Sequence, residues 1–524
     1  MGTDDTAAKT PEPNTEKPDP VDALVSTRHT LDVDGGTLAY SARTGRIVIR
    51  EEETKDDVFH GWKARAELSV TAYTLDDADP ATRPITFVFN GGPGSSSVWL
   101  HLGLLGPRIV DAGEPGSPTP PPYRLIDNPH TLLAHSDLVF IDPLSTGQSR
   151  VVEGGKAKEF LGWKKDVEQV SELIRLWCTR EDRWMSPKFV CGESYGTTRA
   201  VSVAAHLFDT YGMQLNGLVL ISSVLDFGSQ DFDYLRHDEA CLSFLPTYAA
   251  IAHYHGLIPD RSLEEVLAEA EELSAGPYRS ALARGHRLTD EERTEMAGRL
   301  AALTGLSVDY LLRCDLRPEH WRYCTEVLRD RGLTVGRIDG RITGPLHSRI
   351  AEKMDADPSI DALQGPYAAA IHHYLRAELN SDLDLPFMVF SDAFSQWSYK
   401  EFEGKPIDVT DKLERVIAPT RTCRCASSTA TTTWPPPTAQ PSTRSRTSSS
   451  PPRRSTASST PTSRPVTCRT SGSPRASRNC AGSRRSCDAR APGMPHPTRQ
   501  TTANITDVVA LSLQTPALRS SGRR

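Results

Sequence analysis

Gly192-Glu193-Ser194-Tyr195-Gly196 is the stretch from which the rest of this chain can be read. Before it, Ser186-Pro187-Lys188-Phe189-Val190-Cys191 reads as a short buried strand. After it, Thr197 to Tyr211 repeats apolar residues at helical spacing. A serine between two glycines at a strand-to-helix junction predicts a sharp turn. At so tight a bend a Cβ on either flank would collide with neighbouring backbone, which accounts for the glycines. The serine hydroxyl is then held clear of the sheet, above the positive end of the following helix.

A second stretch lies upstream. Phe87-Val88-Phe89 ends an apolar run, and Asn90-Gly91-Gly92-Pro93-Gly94-Ser95-Ser96-Ser97 follows. Taken singly, each stretch is also what a Gly/Pro turn or a chance cluster of small residues looks like. In this order, about a hundred residues apart, they predict an α/β-hydrolase: a nucleophile elbow at Ser194, with a glycine loop supplying backbone N–H groups for an oxyanion.

The chain between and around them fits that expectation. Leu31 to Leu75 alternates apolar and polar residues, with turn signals at Asp34-Gly35-Gly36 and Thr44-Gly45. Ile85 to Phe89, Leu138 to Ile141 and Gly217 to Ile221 are short continuous apolar runs, as in strands buried on both faces. Trp99 to Leu105 reads as a short helix or turn. Lys158 to Trp177 places Phe160, Trp163, Val167, Val170, Leu173, Ile174 and Trp177 on one helical stripe. Strands and helices alternating in this way predict a mostly parallel central sheet with helices on both faces.

From about Asp231 to Asp361 the pattern turns helical, with capping boxes at Ser262/Glu265 and Thr289/Glu292. The expected divisions are a disordered leader at 1–27, a hydrolase core at 28–230, an α-helical insertion or cap at 231–361 and a return to the core at 362–417. A disordered low-complexity tail is expected at 418–524. His253, His255, His372 and His373 read as surface or roof histidines rather than metal ligands, because no further ligand sits at matching spacing. Neither metal nor cofactor is expected.

The 524 residues carry a formal net charge of −7, which hides a split. Residues 1–417 are acidic, whereas 418–524 are Arg-rich with no Lys, Glu, Phe or Tyr. Without aromatics interleaved among the arginines, that segment does not read as a nucleic-acid arm. No basic stretch followed by an apolar run opens the chain, and none has the apolar length of a membrane span. The expectation is a soluble, cytoplasmic protein, with no membrane partner and an oligomeric state left open. Five scattered cysteines before residue 418 give no disulfide framework.

Asn90 to Ser96, Leu105-Gly106-Pro107, Ile141-Asp142-Pro143 with Thr146-Gly147 and Ser149, and Gly192 to Gly196 together resemble the serine carboxypeptidase family, peptidase family S10. The resemblance runs from about residue 30 to 417 and implies roles. Ser194 would attack the carbonyl carbon of a peptide substrate to form an acyl-enzyme. The N–H groups of Gly92 and Tyr195 would stabilise the oxyanion, and Asn90 and Glu193 would hydrogen-bond the free C-terminal carboxylate. Two carboxyl groups meet favourably only when one holds a proton, so Glu193 is expected to have a raised pKa and the peptidase an acidic optimum. The chain departs from the family at Val88, often Trp, and at Leu104, often Glu. An esterase or acyltransferase, or a peptide-binding protein without hydrolysis, are the alternatives.

The family's triad aspartate and histidine are not found in frame. After Ile417, Ser, Thr, Pro, Arg and Ala take over and apolar periodicity disappears. Back-translating Ser428 to Thr438 and pairing each codon's third base with the next two permits Asn-Gly-Tyr-Tyr-Asp-Leu-Ala-Thr-Pro-Tyr. That decapeptide resembles the family's aspartate-bearing strand end. Its Asp codon would be split between Thr432 and Thr433. The only acids after 417 are Asp488 and Asp507, and the only histidine is His496. The sequence therefore predicts a reading-frame shift and a chain without hydrolytic activity.

Overall fold

The computed structural model describes residues 19–113, 119–232, 238–418 and 424–428. Most of the leader, the start of the Pro-rich loop at 117–122 and nearly all of 418–524 lie outside them.

One sheet organises the described chain. Its main strands are β1 (Ala23–Val33), β2 (Gly36–Lys55), β3 (Val58–Leu75), β4 (Ile85–Phe89), β5 (Asp137–Ile141), β6 (Lys188–Glu193), β7 (Gly217–Ile221) and β8 (Arg424–Ser428). They lie in the order β1-β2-β3-β5-β4-β6-β7-β8. The first three form an antiparallel meander, and β3 pairs antiparallel with β5 through Val70↔Ile141. From β5 onward every pairing is parallel. This is the mostly parallel α/β-hydrolase sheet that the apolar runs predict.

Those runs are continuous because both faces are covered. Phe87, Phe89, Val139, Ile141 and Val190 point into one core, with α1 (Trp163–Arg180) and α2 (Tyr195–Tyr211) packed on it. Val88, Leu138, Phe140 and Cys191 point into the other. That second core is closed by the helical turn Val98–Leu100, by the π-helical turn His101–Leu105 that continues it, and by Tyr367, Ile371 and Tyr374. Alternation of period two sorts neighbouring residues of one strand between the two cores.

A third core belongs to the helices between β7 and the return to the sheet: α3 (Glu239–Tyr254), α4 (Leu263–Ala275), α5 (Pro277–Arg284), α6 (Asp290–Thr304), α7 (Val308–Arg313) and α8 (His320–Glu326). Both expected capping boxes are present, each with its reciprocal hydrogen bonds. Then α9 (Pro358–His373) and α10 (Thr410–Ile417) bring the chain back. Cys178, Cys191, Cys241, Cys314 and Cys324 are free thiols.

The structure corrects three expectations. β1 begins at Ala23, inside the segment read as leader, because its alternating residues pair along β2 from Gly36 to Arg46. Thr44-Gly45 is no turn; Gly45 lies within β2, paired with Leu24 on one side and Val70 on the other. Its glycine serves close approach, since a Cβ there would sit 1.9 Å from the Ala23 carbonyl oxygen, and its φ is +148°. Lastly, β8 falls within 418–524 and pairs parallel with β7 from Gly217↔Arg424 to Ile221↔Ser428. An open parallel edge bonds through main-chain groups, which every non-proline residue supplies.

Candidate active site

β6 runs to Glu193, and α2 starts at Tyr195. Ser194 takes the whole turn between them, at φ 58° and ψ −128°. A non-glycine residue at positive φ is strained by about 1–3 kcal/mol and persists only where its surroundings hold it. Here they do. The Ser194 N–H donates to the Ile221 carbonyl at 3.0 Å, while the Ser194 carbonyl accepts from the N–H and the hydroxyl of Thr197, both at 2.8 Å. The flanking glycines are steric necessities. A Cβ on Gly192 would lie 2.1 Å from the Gly196 carbonyl oxygen, and one on Gly196 would lie 3.0 Å from the carbonyl oxygens of Phe89 and Asn90.

The glycine loop leaves β4 at Phe89 and presses against this turn. A Cβ on Gly91 would sit 2.6 Å from the Tyr195 nitrogen and 2.7 Å from both the Glu193 carbonyl oxygen and the Gly196 nitrogen. Gly92 and Gly94 follow at φ +100° and +99°. The two stretches that the sequence singles out, far apart along the chain, thus meet in van der Waals contact. Ser194, Tyr195 and Gly92 all belong to the segments that converge here.

Two further groups hold the loop. The N–H and hydroxyl of Ser97 both donate to Asp142 Oδ1 at 2.8 Å, and burial pushes the Asp142 carboxyl up to about 6. A strap formed by Met388 to Ser391 crosses over the loop. The Ser96 N–H donates to the Val389 carbonyl at 3.0 Å and the Ser391 N–H to the Gly94 carbonyl at 2.8 Å. Met388 and Gly147 exchange two backbone hydrogen bonds of 2.9 Å.

Asn90 and Glu193 form a buried pair. The Asn90 side-chain amide donates to Glu193 Oε2, and Asn90 Oδ1 accepts the Leu100 N–H at 3.1 Å. Asn90 is 3% exposed and Glu193 6%. Burial pushes the Glu193 carboxyl up to about 7, and the bond from Asn90 pulls only partly against it. Near neutrality this carboxyl therefore takes or gives a proton readily. Trp99 and Tyr367 close the same region, their rings 4.7 Å apart, and a Cβ on Gly103 would lie 2.6 Å from the Tyr367 hydroxyl.

Some residues of the site do not stand out in the sequence. Asp166 and Arg199 form an ion pair of 2.8 Å beneath the elbow, 0% and 1% exposed. A signal was present: Asp166 interrupts the apolar stripe of α1 between Trp163 and Val170, and Arg199 stands among small apolar residues of α2. A charge in such a place must have a partner. Two of the histidines read as surface or roof residues have backbone partners: His253 Nε2 lies 2.9 Å from the Arg261 carbonyl and His255 Nε2 2.7 Å from that of Gly340. Among the described residues no helix is long and apolar enough to cross a membrane. Thr432, Thr433, Asp488, His496 and Asp507 lie outside the described residues.

Comparison with known proteins takes the assignment further. Residues 62–302 match the family model for serine carboxypeptidases. Over these residues the chain is similar to the serine carboxypeptidase family. Both motifs, the glycine loop and the elbow, lie inside the match. Carboxypeptidase Y homolog A of Talaromyces stipitatus is 29% identical over 161 residues, and that of Pyricularia oryzae 26%. Each alignment covers 30% of this chain and 27% of the relative, so the match spans about a quarter of those proteins' length. Among solved structures, Kex1(delta)p, a prohormone-processing carboxypeptidase from Saccharomyces cerevisiae, is 17% identical. It aligns over 74% of this chain and 73% of its own, with a TM-score of 0.42. Proline iminopeptidase of Mycobacterium smegmatis is 14% identical, over 49% and 68%, with a TM-score of 0.22.

Proposed function

We propose that this site is built for serine-type carboxypeptidase chemistry. Ser194 is the nucleophile, the N–H groups of Gly92 and Tyr195 receive the oxyanion, and Asn90 with Glu193 grips the free carboxylate of a peptide. The observation that carries the reading is the buried Asn90–Glu193 pair directly preceding the strained Ser194 turn, with the glycine loop packed on it. A carboxyl held near neutrality is suited to share a proton with a substrate carboxylate. The carboxypeptidase relatives support the same substrate class. An oxyanion donor of this kind lowers the barrier by about 2.7–4 kcal/mol.

A serine hydroxyl needs a base, and the base needs an orienting acid. In this reading both are encoded out of register after Ile417, so the polypeptide keeps the pocket and lacks hydrolysis. The composition of 418–524 favours this version, with Asp488, Asp507 and His496 as its only acids and histidine.

Fluorophosphonate labelling of Ser194 tests both parts, since it needs an activated serine. The 524-residue chain should not be labelled. A gene corrected by one base near codons 416–418 should give a product that is labelled, and that cleaves an N-blocked dipeptide but not its C-terminal amide. A corrected product inert in both assays would refute the hydrolase reading. Cleavage by the uncorrected chain, abolished by Ser194→Ala, would refute the loss of activity.

A further inference from the structure

We infer that the buried Asp166–Arg199 pair is a positioning device that sets the conformation of the glycine loop at Asn90, and with it the oxyanion site. The inference rests on the proposed role of that loop.

Arg199 makes two directed contacts from one guanidinium. Its Nε donates to Asp166 Oδ2 at 2.8 Å, and its Nη1 donates to the main-chain carbonyl of Asn90. The second bond is the unusual one, because it grips a peptide plane of the loop. The Asn90 carbonyl is the acceptor side of the Asn90–Gly91 peptide, so fixing it also fixes the direction of the Gly91 N–H. The same oxygen is wedged from the other side by Gly196, where a Cβ would come within 3.0 Å. Asn90 is thereby held at both ends, its side chain by Glu193 and Leu100 and its carbonyl by Arg199.

Aromatic rings complete the seat. The guanidinium carbon lies 5.4 Å from the Phe89 ring centroid and 5.0 Å from that of Tyr195. The Tyr195 hydroxyl donates to Asp166 Oδ2 at 3.2 Å. Phe89 is the last residue before the loop, and Tyr195 is the residue after the nucleophile. One ion pair therefore ties α1, the start of α2 and the end of β4 into a single unit. Asp166 Oδ1 has no hydrogen-bond partner among the described residues. A pair retained for stability alone would do as well as two apolar side chains of similar size, since replacing buried ion pairs in that way is often neutral or stabilising. The planar fork explains why Arg is used: Lys offers one point charge and cannot span Asp166 and the Asn90 carbonyl in the same geometry.

The test separates loop geometry from overall stability and needs no catalysis. Hydrogen exchange is followed by mass spectrometry over residues 87–97, where the Ser95 and Ser96 amides donate within the loop and to the strap. In the full-length double variant Asp166→Leu/Arg199→Met, melting is expected to stay at or above that of the parent. Exchange in 87–97 should nevertheless rise about tenfold to a hundredfold, the range of a lost hydrogen bond to a charged group. Exchange in α4 and α6 should not change. Arg199→Lys keeps the charge beside Asp166 and should show the same local rise. Parent-like exchange in 87–97 for either folded variant would overturn the inference; if the double variant does not fold, Arg199→Lys decides alone. Ser194 labelling does not enter this readout, so failure of the hydrolase reading would be seen separately.

Discussion

Glu193→Gln offers the sharpest test of how the site is charged. Glu193 is buried, and its carboxyl titrates at about 7 in the folded chain instead of the ordinary 4.5. A carboxyl raised on folding contributes stability that is fully present below the lower value and is lost as pH climbs through the higher one. At ~1.36 kcal/mol per pH unit, the interval is worth about 3 kcal/mol. Glutamine keeps the acceptor for the Asn90 amide but carries no charge at any pH. Urea unfolding of the full chain and of Glu193→Gln should therefore differ by a pH-dependent term. The variant's advantage should be smallest near pH 4.5 and grow by about 3 kcal/mol up to pH 8. A difference that stays constant from pH 4.5 to 8 would show that Glu193 ionises as it does in water, and would remove the physical basis for a proton shared with a peptide carboxylate. The same titration predicts that a free C-terminal peptide binds below pH 7 and weakens above it, measured by calorimetry against its amide.

Four other outcomes follow from the geometry. Ser194→Gly should unfold at higher urea than Ser194→Ala, by about 1 kcal/mol, because relief of 1–3 kcal/mol of strain at φ 58° outweighs the extra freedom of glycine in the unfolded chain. Gly91→Ala, whose Cβ would meet three backbone atoms at 2.6–2.7 Å, should cost about 1–3 kcal/mol or more in the same assay. Gly298→Ala in α6 has open space and should gain about 0.4–1 kcal/mol. A chain ending at Ala418 loses β8 and leaves β7 as an exposed edge; light scattering on warming should show earlier aggregation than in the parent.

Much of the architecture was readable because period-two and period-3.6 patterns act locally. β4, β5, β6 and β7 announce themselves as apolar runs, and the two glycine-rich turns as places where a Cβ would not fit. The failures have a common cause: they depend on what lies across the chain. Gly45 looked like a turn because sequence cannot show the Ala23 carbonyl pressed against it. Arg199 and Asp166 break their stripes visibly, but which charge answers which emerges only in space.

The strap from Met388 to Ser391 also bears on how the molecule is made. Ser96 finds its partner Val389 about 300 residues later in the chain, after the whole helical insertion. At 5–20 residues per second, a ribosome needs roughly 15–60 s to deliver it. Throughout that wait the glycine loop has emerged without the segment that crosses it, so the loop is fastened only after the whole helical insertion has been made. A nascent chain arrested before Met388 should carry a sheet already begun and a loop still awaiting its fastening.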